Sequence, residues 1–271
     1  MHETREFILS LLDLQGDLAV CELLRRAGRE SGRDLSDLKQ ALRGLVSEGL
    51  VGFTSRNGQT VASRFARTRS VVAEGIALCS EHDDIANFSG VVVKLADGPA
   101  FGGGEHPTTR LCLSALSRLL APEGGLAQEL REKALDAGCG TGVLSVVAAL
   151  LGVSLVVAAD IDPWAPFATR INAERNNVAS AITVVDADAA RAARDHGPFG
   201  LILANLRLPT LLGLMAGFAE SLRPGGAIVC SGFTEEEAPA LKKEARARRL
   251  APLFGGTGRR WAMETFSREA A

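Results

Sequence analysis

The stretch Leu135-Asp136-Ala137-Gly138-Cys139-Gly140-Thr141-Gly142-Val143-Leu144-Ser145 sets three glycines at alternate positions behind a carboxylate. Glycine lets a backbone turn sharply and approach a ligand where a side chain would intrude. The apolar run after Gly142 predicts a helix whose first N–H groups point back at that ligand and favour negative charge there. The spacing is D-x-G-x-G-x-G, and Val143 stands where the dinucleotide fingerprint places its last glycine, which argues against a nicotinamide or flavin dinucleotide. Asp136 would sit badly beside a pyrophosphate but suits a ligand carrying a cationic amine. S-adenosylmethionine, with its α-ammonium, carboxylate and sulfonium, fits that pattern. The plain alternative is a glycine-rich strand-to-helix turn with no ligand.

Further acids strengthen the adenosyl reading. Asp160, followed by Ile161, lies 18 residues past Gly142, where a carboxylate accepts hydrogen bonds from ribose hydroxyls. Asp186 or Asp188 can reach the amino edge of an adenine. Any one of these could instead cap the next helix, as Asp162-Pro163 suggests. Upstream, the run from Ala96 to Arg110 is too rich in glycine, proline and paired threonine for a mere connector. Pro107 can take the first turn of a helix continuing through Leu111, Ala115 and Leu119, with His106 or Glu105 near its cap.

The elements that must carry these residues alternate. Strands are expected at Ala134-Leu135, Leu155 to Ala159, Ile182 to Val185, Phe199 to Ala204 and Ala227 to Ser231, with helices between them. Such alternation predicts an α/β fold with a doubly wound, mainly parallel sheet, whose ligands lie beyond the carboxyl ends of the strands. The turn Arg223-Pro224-Gly225-Gly226 precedes the last of these strands. Leu250 to Phe254 and Trp261 to Phe266 read as a closing hairpin around Gly255-Gly256-Thr257-Gly258, a turn and not a phosphate loop.

Residues 1–70 read as a separate small domain. Apolar residues at helical spacing predict three helices, ending near Gln15, Arg29 and Gly49, the second starting at about Leu18. Two short strands, Leu50 to Ser55 and Thr60 to Phe65, flank Asn57-Gly58, a strong hairpin signal. Three helices and a hairpin resemble a winged helix, with Ser36 to Glu48 in the position that reads nucleic acid. The helix expected from Asp34 to Gly49 carries Lys39 and Arg43 against Asp34, Asp37 and Glu48, so it lacks the basic face phosphates require, and a docking role is favoured over nucleic-acid binding. Residues 71–90 are expected to be a linker helix and its tail.

The chain has 271 residues, 46% of them hydrophobic, with a net charge of −2, so it buries ordinary cores and has no global basic field. Five cysteines without a C-x-x-C pair argue for reduced thiols, a cytoplasmic location and no metal site. The charged start Met1-His2-Glu3-Thr4-Arg5-Glu6 lacks the look of a signal peptide, and no apolar run is long enough to predict a membrane span.

Taken together, these residues resemble the class I methyltransferases, and within them the PrmA family of ribosomal-protein methyltransferases, over residues 91–266. The carriers are Gly98-Pro99-Ala100-Phe101-Gly102-Gly103-Gly104-Glu105-His106-Pro107-Thr108-Thr109, Asp136 to Gly142, Asp160 to Pro163, Ala204-Asn205-Leu206, Pro224-Gly225-Gly226 and Ser231-Gly232. The resemblance implies a methyltransferase domain over 91–271 with seven strands and S-adenosylmethionine as cofactor. It implies a protein amine, such as that of a ribosomal protein, as acceptor. It also implies that the loop 98–109, with Phe101, Gly102 and Thr108, folds over the cofactor and that Asn205 faces the reacting methyl group, with His106 assisting deprotonation or anchoring the loop. Gly103 replaces the family's threonine, and the winged-helix-like start replaces the family's own N-terminal domain. A small-molecule methyltransferase, or a nucleic-acid-binding factor or RNA methyltransferase, are the alternatives.

Overall fold

Apolar spacing in the first fifty residues folds as α1 (His2–Gln15), α2 (Val20–Ser31) and α3 (Leu35–Ser47). Ile8, Leu12, Leu23, Ala27, Leu38, Leu42 and Leu45 from the three helices share one buried cluster. Leu18 and Ala19, expected to open the second helix, form strand β1 (Leu18–Ala19) instead. Strands β2 (Val51–Arg56) and β3 (Gln59–Arg64) pair antiparallel with Arg56 opposite Gln59, and β3's other edge takes β1, giving the order β1-β3-β2. That edge pairing outweighs the weak helical preference of two residues. The structure, a computed structural model, describes residues 2–15, 18–47, 50–56, 59–64, 71–73, 75–79, 88–96, 106–122 and 125–269. Asn57 and Gly58 therefore lie outside the described residues.

The linker helix expected over 71–90 is corrected. Its first part forms β4 (Val71–Ala73) and β5 (Ile76–Cys79), which pair antiparallel, and β6 (Val91–Lys94) joins β5 in parallel. A short apolar run cannot be assigned by periodicity alone, and β-branched Val71-Val72 favours the extended form once a partner strand exists.

The rest follows the expected alternation: α4 (Pro107–Leu120), β7 (Lys133–Ala137), α5 (Val143–Leu150), β8 (Leu155–Asp160), α6 (Ala165–Arg175), β9 (Ile182–Asp186), α7 (Ala189–His196), β10 (Phe199–Asn205), α8 (Leu208–Ser221), β11 (Leu222–Thr234), α9 (Ala238–Ala247), β12 (Leu250–Gly258) and β13 (Trp261–Arg268). The seven strands β7 to β13 form one sheet in the order β12-β13-β11-β10-β7-β8-β9, in which only β13 runs against the others. Leu203, Val229, Val156 and Ala158 pack on one face beneath Leu113 of α4, Val146 of α5 and Ala173 of α6. Leu135, Ala159, Ile202 and Ala204 pack on the other beneath Ala192 of α7, Phe218 of α8 and Leu241 of α9. No helix of the described residues is long and apolar enough to cross a membrane.

Two turn expectations also change. Arg223 to Gly226 lies within β11 as an irregularity, with Leu222 opposite Phe199 and pairing resumed at Ala227 opposite Leu201. Gly255 to Gly258 is strand, its residues opposite Glu264 to Trp261, and the hairpin turns on Arg259 and Arg260, at φ 50° and 70°. The four residues Gly255 to Gly258 are extended because β13 supplies a full ladder, which overrides their poor strand preference.

Candidate active site

The strand order reverses at β7, whose neighbours are β8 on one side and β10 on the other. A crevice opens at such a switch point beyond the carboxyl ends of the strands. Ala137 pairs with both Ala204 and Ala159, so the next residue on each strand, Asn205, Gly138 and Asp160, comes level along this edge. Asp160 in turn pairs with Asp186. At a strand spacing of about 4.8 Å the row Asn205, Gly138, Asp160, Asp186 is about 14 Å long. Alternation with Leu203, Ala158 and Val184, which face α4, α5 and α6, directs Asn205, Asp160 and Asp186 to that same face. Chain segments far apart in sequence thus place an amide and two acids in one line.

The glycine turn lies at the centre of the row. Gly138, Gly140 and Gly142 adopt φ 78°, 56° and 76°. A Cβ on Gly138 would lie 2.6 Å from Leu206 Cδ2, and one on Gly142 would lie 2.7 Å from Thr169 Cγ2, so conformation and space both require glycine there. The Gly138 and Cys139 amides donate to Ala159 O at 2.8 and 3.1 Å, which ties the turn to β8. The Gly140 amide donates to Asp160 Oδ2, and the Asp162 amide to Asp160 Oδ1, each at 2.9 Å. Each Asp160 oxygen keeps a second lone pair for a ligand hydroxyl. Ile161 beside it is 77% exposed, an apolar side chain standing in water next to two acids.

Asp136 is 1% exposed, and its Oδ2 accepts from the Ser145 amide at 3.0 Å and the Ser145 hydroxyl at 2.6 Å. The cause is local: the α5 N-cap is Gly142, which has no side chain to offer, so Asp136 supplies the acceptor from β7. Burial pushes its carboxyl up to about 7, against the pull of the two Ser145 bonds. The same burial raises the thiols of Cys112 and Cys139 and pushes Cys230 up to about 12, so these cysteines are inert neighbours.

His106 is the N-cap of α4, where Nδ1 accepts from the Thr108 amide at 3.4 Å and lies 2.8 Å from Thr108 Oγ1. Its ring meets Trp261 edge-on at 4.8 Å between centroids, and burial lowers its pKa. Nδ1 is thus engaged as an acceptor within its own helix. Thr108 is 1% exposed with its hydroxyl turned to that cap. Asp188 caps α7, accepting from the Arg191 amide at 2.8 Å, so of the two downstream acids it is Asp186 that stands in the row. Asn205 is half-buried and its backbone pairs with Ser231 in the β10–β11 ladder, while its side chain makes no hydrogen bond among the described residues; the next amide, Leu206, donates to Ser231 O. Phe101 and Gly102 lie outside the described residues, as does Gly103. Among the described residues no group of three His, Cys, Asp or Glu side chains could hold a metal ion.

The family model described as ribosomal protein L11 methyltransferase (PrmA) matches residues 70–252. The chain belongs to this family. Residues 1–69 lie outside the match. A relative named ribosomal protein L11 methyltransferase from Ralstonia pickettii is 38% identical over 62% of this chain and 51% of its own length. Another of that name, from Cupriavidus metallidurans, is 33% identical over 73% of this chain and 58% of its own. The chain thus matches about half the length of such relatives. The crystal structure of a ribosomal protein L11 methylase from Lactobacillus delbrueckii subsp. bulgaricus superposes with a TM-score of 0.64 over 74% of this chain and 99% of that one at 24% identity, so the fold is shared. PrmA membership makes S-adenosylmethionine the cofactor implied for the site. The donor set suits it: acids in the row for ribose and adenine, glycines for close approach, and a buried carboxylate behind them.

Three residues of the scaffold carry no signal in the glycine motif. Thr169 Oγ1 donates to Gly140 O at 3.2 Å, and Asn172 Nδ2 donates to Thr141 O at 2.8 Å. Asn172 Oδ1 also accepts from the Ala96 amide at 2.6 Å. Asn176, one turn later, accepts from the Lys94 amide and donates to Lys94 O at 2.9 and 2.7 Å. Asn172 of α6 and Asn176, its C-cap, thereby hold the strand that leads toward residue 98. Their i, i+4 spacing was visible, but what they face was not.

Proposed function

We propose that this chain transfers the methyl group of S-adenosylmethionine to an amine nitrogen of a protein, with a cytoplasmic ribosomal protein as the acceptor class. The observation that carries the reading is the row Asn205, Gly138, Asp160, Asp186, which aligns a polar amide, a close-approach glycine and two acids in one crevice of a PrmA-family domain. The bound cofactor supplies an electrophilic methyl group on a sulfonium. Asp160 would accept from ribose hydroxyls, Asp186 would meet the adenine edge, and Ile161 would cover the ring.

An acceptor ammonium must first release its proton to water, which costs about 4–5 kcal/mol at neutral pH from a reference pKa near 10.4. Exclusion of water from the crevice lowers that cost, since a drier site disfavours the charged amine. Asn205 Oδ1 would then accept a hydrogen bond from the neutral amine and aim its lone pair at the methyl carbon. Transfer to this neutral amine would leave a thioether and the methylated ammonium, which keeps its proton at neutral pH, so the one proton lost is the one released to water beforehand. In-line placement of this kind supplies about 7–11 kcal/mol. With Nδ1 engaged in the α4 cap, His106 is assigned to anchoring and not to taking the proton.

Radiolabelled methyl transfer into a lysate, sorted into protein, RNA and small molecules, tests the acceptor class. Label in a ribosomal-protein band that disappears with Asn205→Ala, while S-adenosylhomocysteine still binds, is the expected result. Label confined to RNA or to small molecules overturns it.

A further inference from the structure

Trp164 lies four residues past Asp160, in the methyltransferase domain, at the N-cap of α6. Its ring is nevertheless buried with the N-terminal unit, at 9% exposure in the cluster of Ile8, Leu42, Leu45 and Val46. Arg43, on the polar side of α3, places its guanidinium over two rings of this segment, 5.1 Å from the Trp164 centroid and 5.4 Å from that of Phe167. Arg43 Nε is buried without a hydrogen-bond partner, so the aromatic faces are what receive its charge.

The contact continues inward without a gap. The Trp164 amide donates to Asp162 Oδ1 at 2.9 Å, the Asp162 amide donates to Asp160 Oδ1, and Asp160 Oδ2 accepts from the Gly140 amide. A side chain seated in the N-terminal unit is therefore linked through three short steps to the carboxylate assigned to the ribose and to the glycine turn.

We infer that Trp164 and Arg43 are positioning residues through which the N-terminal unit holds the adenosine loop 160–164 in its binding shape, so that docking of this unit sets cofactor affinity. The inference rests on the cofactor reading of Asp160 given above. It also assigns the polar side of α3 an internal partner: a helix laid on α6 through Arg43 does not present that residue to a nucleic-acid groove. Loss of the Arg43 contact frees the loop to sample other shapes, and affinity falls by the fraction of time it spends in them.

Calorimetric titration of the full chain with S-adenosylhomocysteine, alongside thermal unfolding, tests this. Arg43→Gln is expected to weaken binding about 2- to 30-fold, the range such couplings span, with the circular dichroism spectrum unchanged. Trp164→Ala weakens it further, and Trp164→Phe restores most of it. A residue that merely stabilised the fold would lower the melting temperature while the folded protein bound as before. Wild-type affinity in both Arg43→Gln and Trp164→Phe, with Trp164→Ala either equally tight or unfolded, overturns the inference. Asp160→Ala serves as the control for the cofactor reading: binding unchanged there removes that reading, whereas binding lost in Asp160→Ala but intact in Arg43→Gln removes the positioning role alone.

Discussion

Asp136 combines two demands on one side chain. It caps α5 in place of the glycine that the turn requires, and its burial leaves the carboxyl holding a proton up to about 7. The unfolded chain keeps that group near 3.8, so the folded form binds the proton more tightly. Its contribution to stability is complete below the unfolded value and is lost as pH rises through about 7. A ligand ammonium beside it would favour the ionised form, so binding would expel the proton. Affinity for S-adenosylhomocysteine is therefore expected to fall by up to about tenfold per unit as pH drops below 7. Asp136→Asn should give a flat profile; an unchanged slope in titrations from pH 5.5 to 8 would assign the proton elsewhere. Asp136, the three glycines and Asp160 were legible from local spacing because each answers a need of its own turn. Thr169 and Asn172 were not, because their partners, Gly140 O, Thr141 O and the Ala96 amide, lie far away in sequence.

At the scale of elements, α6 does more than cover the sheet. Its Asn172 and its C-cap Asn176 hold β6 and the glycine turn in one register. Asn172→Ala leaves Thr141 O and the Ala96 amide without that partner and should cost about 2–4 kcal/mol in chemical denaturation. Asn172→Asp retains an acceptor for Ala96 but sets a carboxylate against a carbonyl, so it should be no better. The hairpin of β12 and β13 offers the opposite case. Arg259 and Arg260 both sit at positive φ, which disfavours residues with a Cβ by about 1–2 kcal/mol each. The pair Arg259→Asn with Arg260→Gly is expected to raise the melting temperature by several degrees, and no gain in calorimetry would mean the arginines make compensating contacts. Neither the turn nor β4 and β5 could be placed from residue preference, because Gly255 to Gly258 looks like a loop and Val71 to Leu78 like a helix until a neighbouring strand is present. The parallel strands were easier, since continuous apolar runs between helices leave few other folds.

For the molecule as a whole, the seven-stranded sheet and its switch point were legible, and family membership agrees with both. The seating of the first unit on α6 was not, because no periodic pattern marks Trp164 as belonging to a core more than a hundred residues upstream. This seating is expected to make the two units unfold as one cooperative body. At 100 times its Kd, S-adenosylhomocysteine stabilises the folded chain by about 2.7 kcal/mol. One unfolding transition should move upward by about 2–4 °C for each kcal/mol. Two transitions, only one of them moving, would show that the units melt separately. The same contact governs what becomes of the catalytic unit when it is cut free near residue 70. An indole that the intact chain hides would then face water beside Phe167, forming a sticky patch on the surface next to the adenosine loop. Anyone trimming this protein to its family-matched part should exchange Trp164 for a polar residue, or expect self-association to be mistaken for poor folding.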